Sequence, residues 1–344
     1  MNGQHSYQEI MTQPDAWEDA LAAFGALAPQ LTAQWQTLQP DEVVFTGCGS
    51  THYLALSAAA IFQQLTGVRG RACPASELLL ANESVLTSPD KTLLVAISRS
   101  GTTTETLTAV SQFRQQGGAA VWTITCYPES PLAQAADLVL PAAAAQEQSV
   151  AQTRSFSSML LLAQALAAHL GQADWSVLQQ VPAYGRSLLI QTEPIVQKLA
   201  AKPELTRFAF LGSGPQFGVA SEAMLKLTEM SLTVAAAFHF LEYRHGPMSM
   251  VAPETAVIGL LSPIFPQPEN QVLDEMAAKG AAVLRLACGE GDIALPAHLP
   301  TWVYPLLYLP PLQLLAYHRA VSKQLDPDNP RHLTAVVNLD TAVF

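Results

Sequence analysis

The chain has 344 residues, of which 49% are hydrophobic and only 13% are charged, and its formal net charge is −11. A chain of this length and composition has more apolar surface than one core would bury, so we expect two similar domains and an oligomer interface. The negative charge argues against a nucleic-acid partner. The longest apolar stretch, residues 159–170, is interrupted by Gln164 and His169 and is too short to cross a bilayer, so we expect no membrane partner.

The amino terminus and the cysteines indicate the location and redox state of the protein. Residues 1–9 lack the basic start and apolar segment of a secretory signal, so we expect a cytoplasmic protein. The cysteines show no CxxC or metal-ligand spacing, which is typical of buried free thiols; they are Cys48, Cys73, Cys126 and Cys288. We therefore expect no metal and no cofactor.

Short β-rich runs alternate with helical stretches along the first half of the chain. The predicted strands are residues 43–45, 93–97, 121–125 and 138–140. This alternation predicts an α/β fold with a parallel sheet and helices on both faces, in which ligands bind at the carboxyl ends of the strands. Residues 154–200 are predicted to be helical, with caps at Asp174 and Thr192.

One pattern occurs twice. The turn Gly47-Cys48-Gly49 recurs as Gly212-Ser213-Gly214, residues 92–98 recur at 255–262 with one extra residue, and residues 119–126 recur at 281–288. Neither turn fits the GxGxxG motif of dinucleotide sites, because His52 and Phe217 stand where the third glycine belongs. Ser50 and Thr51, at the start of the next helix, are better suited to a sugar or its phosphate.

The loop after the second predicted strand is typical of a phosphate site. Residues 98–105 read SRSGTTTE and lead into a helix, whose first N–H groups carry the positive end of the helix dipole. Ser98, Ser100 and Thr103 add hydroxyl donors, and the absence of a lysine after the glycine argues against a GxxxxGK[ST] nucleotide loop. The alternative is a polar turn with a threonine cap. In the second copy, two prolines remove N–H donors, so we expect a single phosphate site.

The second copy carries the candidate acid–base residues. Glu222, Lys226 and Glu229 follow Gly214 at helical spacing and share one face, which indicates either a cleft or a solvated ion pair. His245 precedes Gly-Pro and is therefore predicted to lie in an accessible turn. His239, between two phenylalanines, is predicted to pack in a core.

These motifs together resemble those of double sugar isomerase (SIS) domain proteins, and the chain is similar to the isomerase half of glucosamine-6-phosphate synthase. The resemblance runs through residues 47–51, 75–77, 98–103, 149–153, 222–231, 244–247, 311–318 and 328–333. It implies two tandem SIS domains, each a doubly wound, flavodoxin-like parallel sheet flanked by helices. The implied organisation is an N-terminal helical segment (1–30), a first SIS domain that binds phosphosugar (31–170), a helical connector (171–200), a second SIS domain (201–325) and a tail returning to the active site (326–344).

The resemblance also implies roles for individual residues. The implied substrate-binding residues are Ser98, Ser100 and Thr103 at the phosphate, Ser50, Thr51 and Arg99 nearby, and Val150, Gln152 and Thr153 along the sugar. Glu229 would move the proton between C1 and C2, and Lys226 would lie in the same pocket. His245 would open the sugar ring and come from the neighbouring subunit of a homodimer.

Two departures from the synthase bear on the reaction. Residues 1–20 resemble only the linker that follows the glutaminase domain of the synthase, so we expect no use of glutamine. The lysine that holds the sugar as a Schiff base in the synthase corresponds to Ala335 here. We therefore expect a deaminase/isomerase that converts glucosamine 6-phosphate to fructose 6-phosphate and ammonia. The alternatives are a fructosamine-6-phosphate deglycase, a phosphosugar aldose–ketose isomerase and a non-catalytic phosphosugar sensor.

Overall fold

The computed structural model describes residues 3–337, 339 and 340, and within them two five-stranded sheets are entirely parallel. The first sheet has the order β2-β1-β3-β4-β5 and contains β1 (Glu42–Gly47), β2 (Arg69–Pro74), β3 (Thr92–Ser98), β4 (Ala120–Thr125) and β5 (Leu138–Pro141). The second has the order β10-β9-β8-β6-β7 and contains β6 (Arg207–Gly212), β7 (Val234–Phe238), β8 (Thr255–Leu260), β9 (Ala282–Cys288) and β10 (Ile293–Leu295). The predicted α/β class with parallel sheets is confirmed.

Helices connect these strands. In chain order they are α1 (Gln4–Leu38), α2 (Ser50–Thr66), α3 (Ala75–Leu80), α4 (Asn82–Val85), α5 (Thr104–Gln115), α6 (Pro131–Ala135), α7 (Arg154–Leu170), α8 (Val181–Ala200), α9 (Pro215–Ser231), α10 (Pro266–Ala278), α11 (Tyr304–Leu307) and α12 (Leu309–Ser322). Within the described part of the chain, none of them combines the length and the apolar character that a bilayer crossing requires.

The repeat seen in the sequence is present in the backbone. Read from β2 and from β7, the two sheets have the same strand order. The turn after the first strand of each copy contains a glycine at φ 56°, Gly49 in one and Gly214 in the other. A side chain at the preceding turn glycine would collide with the main chain nearby: a Cβ at Gly47 would lie 2.9 Å from the carbonyl oxygen of Ile97 in β3, and one at Gly212 would lie 2.6 Å from that of Gln216 in α9.

Each sheet has its own apolar core. Strands β1, β3 and β4 are buried along their whole length, as expected for the centre of a parallel sheet covered on both faces. Val44, Leu94 and Phe113 belong to a cluster on the first sheet, and Leu211, Val257 and Leu273 belong to a cluster on the second. These cores fix the strand ends from which the functional loops emerge.

The chain divides into two compact units, which are described separately below. The first-sheet unit contains Thr12–Glu147, Arg154–Pro182 and the described residues from Thr334 onwards. The second-sheet unit contains the described residues up to Met11, Gln148–Thr153 and Ala183–Leu333. The domain boundaries given by the resemblance stay predictions.

Two local predictions have opposite outcomes. Asp174 is a cap, since its carboxylate accepts from the N–H of Ser176 at 3.0 Å. The prediction for Thr192 is wrong: Thr192 lies inside α8, where its hydroxyl donates to the carbonyl of Leu188 at 2.7 Å. A threonine hydroxyl can bond back to the preceding turn and so remain inside a helix. All four cysteines are free thiols, but the prediction that they are buried holds only for Cys73 and Cys126, since Cys48 and Cys288 are partly exposed.

Candidate functional site

The loop between β3 and α5 is held in a tight turn by its own hydroxyls. The N–H of Gly101 donates to Ser98 Oγ at 3.1 Å, and Ser98 Oγ lies 3.4 Å from Thr103 Oγ1. Gly101 has φ +64°, and a Cβ there would lie 1.9 Å from Ser130 Oγ, so only glycine fits. The hydroxyl of Ser98 and the glycine at position 101 therefore fix the shape of this turn.

The amino terminus of α5 has no side-chain cap. Thr103 stands at the N-cap position, yet its side chain makes no capping hydrogen bond. The orphan N–H groups of the first helical turn are the usual ligands of phosphate at such a terminus. Ser100 Oγ accepts from the N–H of Thr102 at 3.2 Å, which orders the middle of the loop. The alternative of a threonine cap is therefore wrong for Thr103, and the phosphate site stays a prediction.

Thr51 shapes the neighbouring turn. Its Oγ1 accepts from the N–H of Cys48 at 2.9 Å and lies 3.0 Å from the carbonyl oxygen of Cys48, to which it donates. Ser50 is buried at the start of α2 in the same unit. Burial raises the pKa of Cys48 to about 11, so its thiol is protonated at neutral pH and is not a nucleophile.

Arg99 joins the loop to the carboxyl-terminal segment of the first-sheet unit. Its guanidinium donates to Glu147 at 3.3 Å and to the main-chain carbonyl of Ala335 at 3.1 Å. The N–H of Leu339 donates to Thr104 Oγ1 at 3.2 Å. Ala335, which corresponds to the Schiff-base lysine in the resemblance, is thus bound to the loop by its main chain. Sequence reasoning missed Glu147, which lies 48 positions from Arg99.

The corresponding loop of the second sheet contains an internal carboxylate. The N–H of Ser262 donates to Glu269 Oε2 at 2.5 Å, and the hydroxyl of Ser213 also donates to Glu269. Burial raises the pKa of Glu269, while these two donors stabilise its charged form. A carboxylate from the first turn of α10 therefore occupies the N–H of Ser262, the residue that corresponds to Ser98 in the first repeat.

Helix α9 carries a buried row of charges in the second-sheet unit. Lys226 Nζ lies 3.3 Å from Glu222 Oε1 and also donates to Glu229 Oε1. The side chains of Glu222 and Lys226 are 1% and 2% exposed, against 13% for Glu229. Burial by itself lowers the pKa of Lys226, but the two carboxylates outweigh burial and raise it. The alternative of a solvated ion pair is wrong, and the accessible member of the row is Glu229.

Both candidate histidines, His245 and His239, are exposed, which agrees with only one of the two predictions. His245 is exposed in a turn after the short 3-10 helix Glu242–Arg244, as predicted, and Gly246 follows it at φ 125°. The prediction that His239 packs in a core is wrong. Its ring is exposed and stacks on Phe217 with centroids 3.9 Å apart, because β7 ends before it.

The predicted sugar-lining residues lie in the second-sheet unit with α9. Thr153 is buried, and its carbonyl accepts from the Gln313 side chain at 3.0 Å. The side-chain oxygen of Gln152 is buried and has no hydrogen-bond partner among the described residues. Ser98, Ser100 and Thr103 belong to the other unit, as do Ser50, Thr51 and Arg99.

Comparison with known proteins identifies relatives of the chain. The SIS domain model matches residues 38–169. Glutamine–fructose-6-phosphate aminotransferase (isomerizing) of Pseudomonas syringae pv. tomato is 32% identical over 92% of the chain and 54% of its own length. The chain spans about half the length of the curated relatives it matches.

Two solved structures match over nearly their whole length. The crystal structure of glucosamine-6-phosphate deaminase from Thermotoga maritima is 31% identical, with a TM-score of 0.85 and coverage of 98% of this chain and 100% of that one. The structure of tagatose-6-phosphate ketose/aldose isomerase from Escherichia coli is 25% identical, with a TM-score of 0.84 and 96% coverage of both chains. The fold, the repeated turns and these matches together show that the chain belongs to the SIS domain family.

Proposed function

We propose that the protein is a phosphosugar isomerase that converts glucosamine 6-phosphate and water to fructose 6-phosphate and ammonia. The observation that carries the proposal is Glu229, a partly accessible carboxylate that accepts from the wholly buried Lys226. A carboxylate held in this way is suited to moving a proton between adjacent carbons of a sugar. The full-length similarity to a glucosamine-6-phosphate deaminase supports the choice of an amino sugar.

The phosphate is proposed to bind at the loop 98–103. Ser98 and Gly101 give the loop its shape, and the first N–H groups of α5 supply donors for an anion. This arrangement supplies hydrogen bonds locally, which a protein of net charge −11 requires to hold an anionic substrate. The roles of Ser50, Thr51 and Arg99 as substrate contacts stay predictions.

The proton steps follow from the roles proposed for two residues. His245 exchanges a proton with the ring oxygen and O1, which opens the pyranose to the aldehyde. Glu229 takes the C2 proton and returns a proton to C1, which converts the C2 amine to an imine. Water then adds to the imine carbon, and ammonia leaves, which gives the C2 ketone of fructose 6-phosphate.

Ala335 favours hydrolysis over synthesis. Its methyl side chain cannot form a Schiff base with a ketose, whereas hydrolysis of the C2 imine needs only water. Arg99 donates to the main-chain carbonyl of Ala335, a contact that does not depend on the side chain at position 335. A chain with Ala335 is therefore better suited to release of the amine than to its fixation.

A second candidate is simple aldose–ketose isomerisation, favoured by the similarity to the tagatose-6-phosphate isomerase. The same Glu229 and His245 would serve it, with oxygen in place of nitrogen at C2. A homodimer in which His245 acts in the partner's site also stays part of the proposal. Mixed Glu229→Gln and His245→Ala chains that exchange subunits should then regain part of the activity.

The test is a product assay on four substrates without added glutamine. Glucosamine 6-phosphate should give equal amounts of ammonia and fructose 6-phosphate. Tagatose 6-phosphate tests the isomerase alternative, and fructoselysine 6-phosphate, which would release lysine, tests the deglycase alternative. Fructose 6-phosphate together with an ammonium salt is the control for the reverse reaction. Turnover of another substrate in place of glucosamine 6-phosphate would overturn the proposal, and binding without turnover would favour a sensor.

A further inference from the structure

The segment Gln148–Thr153, in which the resemblance implies that Val150, Gln152 and Thr153 line the sugar, is held at its start by a carboxylate of α1. Glu9 Oε1 accepts from the N–H of Gln148 at 2.6 Å and from that of Ser149 at 3.4 Å. The hydroxyl of Ser149 donates to the other oxygen, Oε2. Glu9 is only 3% exposed, so these three donors compensate its buried charge.

Two further contacts fix the rest of the segment. The N–H of Val150 donates to the carbonyl of Asp328 at 3.0 Å, and the Gln313 side chain donates to the carbonyl of Thr153 at 3.0 Å. Asp328 is itself held by α1, because its carboxylate accepts from the N–H of Ser6 at 2.7 Å. Helix α1 therefore holds the segment directly through Glu9 and indirectly through Asp328.

Gln152 lies within the part of the segment that these contacts hold. Its side-chain oxygen is the one atom of the segment that is buried without a hydrogen-bond partner among the described residues, so it is available to a donor of a ligand. Gln152 lies between the contacts at positions 148–150 and the contact at Thr153. A shift at the start of the segment would move this oxygen and weaken its bond to a sugar hydroxyl or amine.

We propose that Glu9 is a positioning residue that sets the segment 148–153 for recognition of the sugar, as distinct from the phosphate. The inference rests on the proposed function and adds a residue to which that function assigned no role. Glutamine keeps an oxygen for the N–H groups of Gln148 and Ser149, but it removes the negative charge that strengthens these bonds and places an NH2 donor where Oε2 accepts from the Ser149 hydroxyl. Aspartate keeps the charge but is shorter by one methylene group.

The experiment compares Glu9→Gln, Glu9→Asp and the exposed control Glu18→Gln on the same helix. Glu9→Gln should raise KM for glucosamine 6-phosphate about tenfold or more, the loss expected for hydrogen bonds to a charged group. The inhibition constant of inorganic phosphate and the shape of the pH–rate profile should stay at wild-type values. Glu9→Asp should recover part of the loss, and Glu18→Gln should behave as wild type.

Hydrogen exchange gives a readout that is independent of substrate. Exchange of the amides of Gln148 and Ser149 should rise at least tenfold in Glu9→Gln, while amides of β3 stay protected. Unchanged KM in an active Glu9→Gln enzyme overturns the inference and leaves the proposed function intact. If Glu9→Gln weakens inhibition by inorganic phosphate as much as it raises KM, the inference is also overturned, because the substitution would then disturb the whole protein. If the wild-type chain binds no sugar phosphate, both the proposed function and this inference fail.

Discussion

The ammonium group of Lys226 lies 3.3 Å from the carboxylate of Glu222, and both side chains are buried in the second-sheet unit. The two residues are one helical turn apart on α9, and Glu229 accepts from the same ammonium group. An ion pair at this spacing on a surface helix contributes little, whereas a buried one fixes the position of both charges. Helix α9 thus positions the proposed base, Glu229, through a hydrogen bond from the buried Lys226.

Replacement of Lys226 should destabilise the fold. Lys226→Met removes the cation that faces buried Glu222, and loss of one partner of a buried ion pair costs about 3–5 kcal/mol. Urea denaturation measures the free energy of unfolding. The matched control is Lys198→Met, because Lys198 is exposed near the end of α8 and should change stability by less than about 0.5 kcal/mol. Similar losses for both variants would contradict the structural role of the buried pair.

The raised pKa of Lys226 predicts a dependence of stability on pH. The pKa is higher in the folded state than the ordinary value of 10.5, so the protonated lysine stabilises the fold. This contribution is complete below the unfolded pKa and is lost as pH rises through the folded pKa. Above pH 10.5, therefore, the unfolding free energy of the wild type should fall more steeply than that of Lys226→Met. Denaturation curves between pH 9 and 11.5 check this, and parallel pH profiles would show that Lys226 is not the responsible group.

Alanine substitutions at two glycines distinguish the cost of backbone strain from the cost of a side-chain collision. Gly101 and Gly117 both have positive φ, but a Cβ at Gly101 meets Ser130 whereas one at Gly117 meets nothing within 4 Å. Gly117→Ala should cost only the conformational penalty, about 1–2 kcal/mol. Gly101→Ala should cost more and should also abolish phosphate binding, because the loop between β3 and α5 must move. Thermal denaturation and calorimetry with glucosamine 6-phosphate measure the two effects. Normal affinity in Gly101→Ala would argue against this loop as the phosphate site.

Equivalent serines in the two repeats should respond differently. Ser98→Ala removes a hydroxyl from the open loop, which should cost about 1.5–3 kcal/mol, or roughly 10- to 150-fold in affinity. Ser262→Ala should leave affinity nearly unchanged, because Glu269 already occupies the N–H of Ser262. Titration calorimetry with a sugar 6-phosphate compares them. Equal losses at both positions would refute a single phosphate site in the first repeat.

Much of the fold was readable from the sequence because central parallel strands are continuous apolar runs. Strand β2 escaped prediction: Arg69 and Arg71 interrupt its apolar pattern, and it is an edge strand. Arg71 is held there by an ion pair with Glu42 at 2.7 Å, a contact between neighbouring strands that local patterning does not reveal. Propensity and periodicity describe segments, whereas an edge strand depends on its neighbour.

The sequence motifs pointed to the candidate residues, but they did not reveal the tertiary contacts that hold the neighbouring segments. The motifs identified Ser98 and Glu229 because small hydroxyls and charges stand out in an apolar chain. Glu269 and Glu9 looked like ordinary helix residues, and their contacts at Ser262 and Ser149 follow only from the tertiary fold. The partner of Glu9 lies 140 positions away, so no periodic signal links the two.

The most direct test of the proposed chemistry is the rate of ammonia release from glucosamine 6-phosphate by the wild type and by Glu229→Gln, with Glu290→Gln as an exposed control. The substitution at Glu229 removes the proposed base and keeps its size, so substrate binding by calorimetry should stay within a few-fold. Ammonia release should fall by about 10² to 10⁴, the usual contribution of a positioned base, while the control keeps the wild-type rate. Ammonia release by Glu229→Gln at the wild-type rate, or none by the wild type, would contradict the assignment.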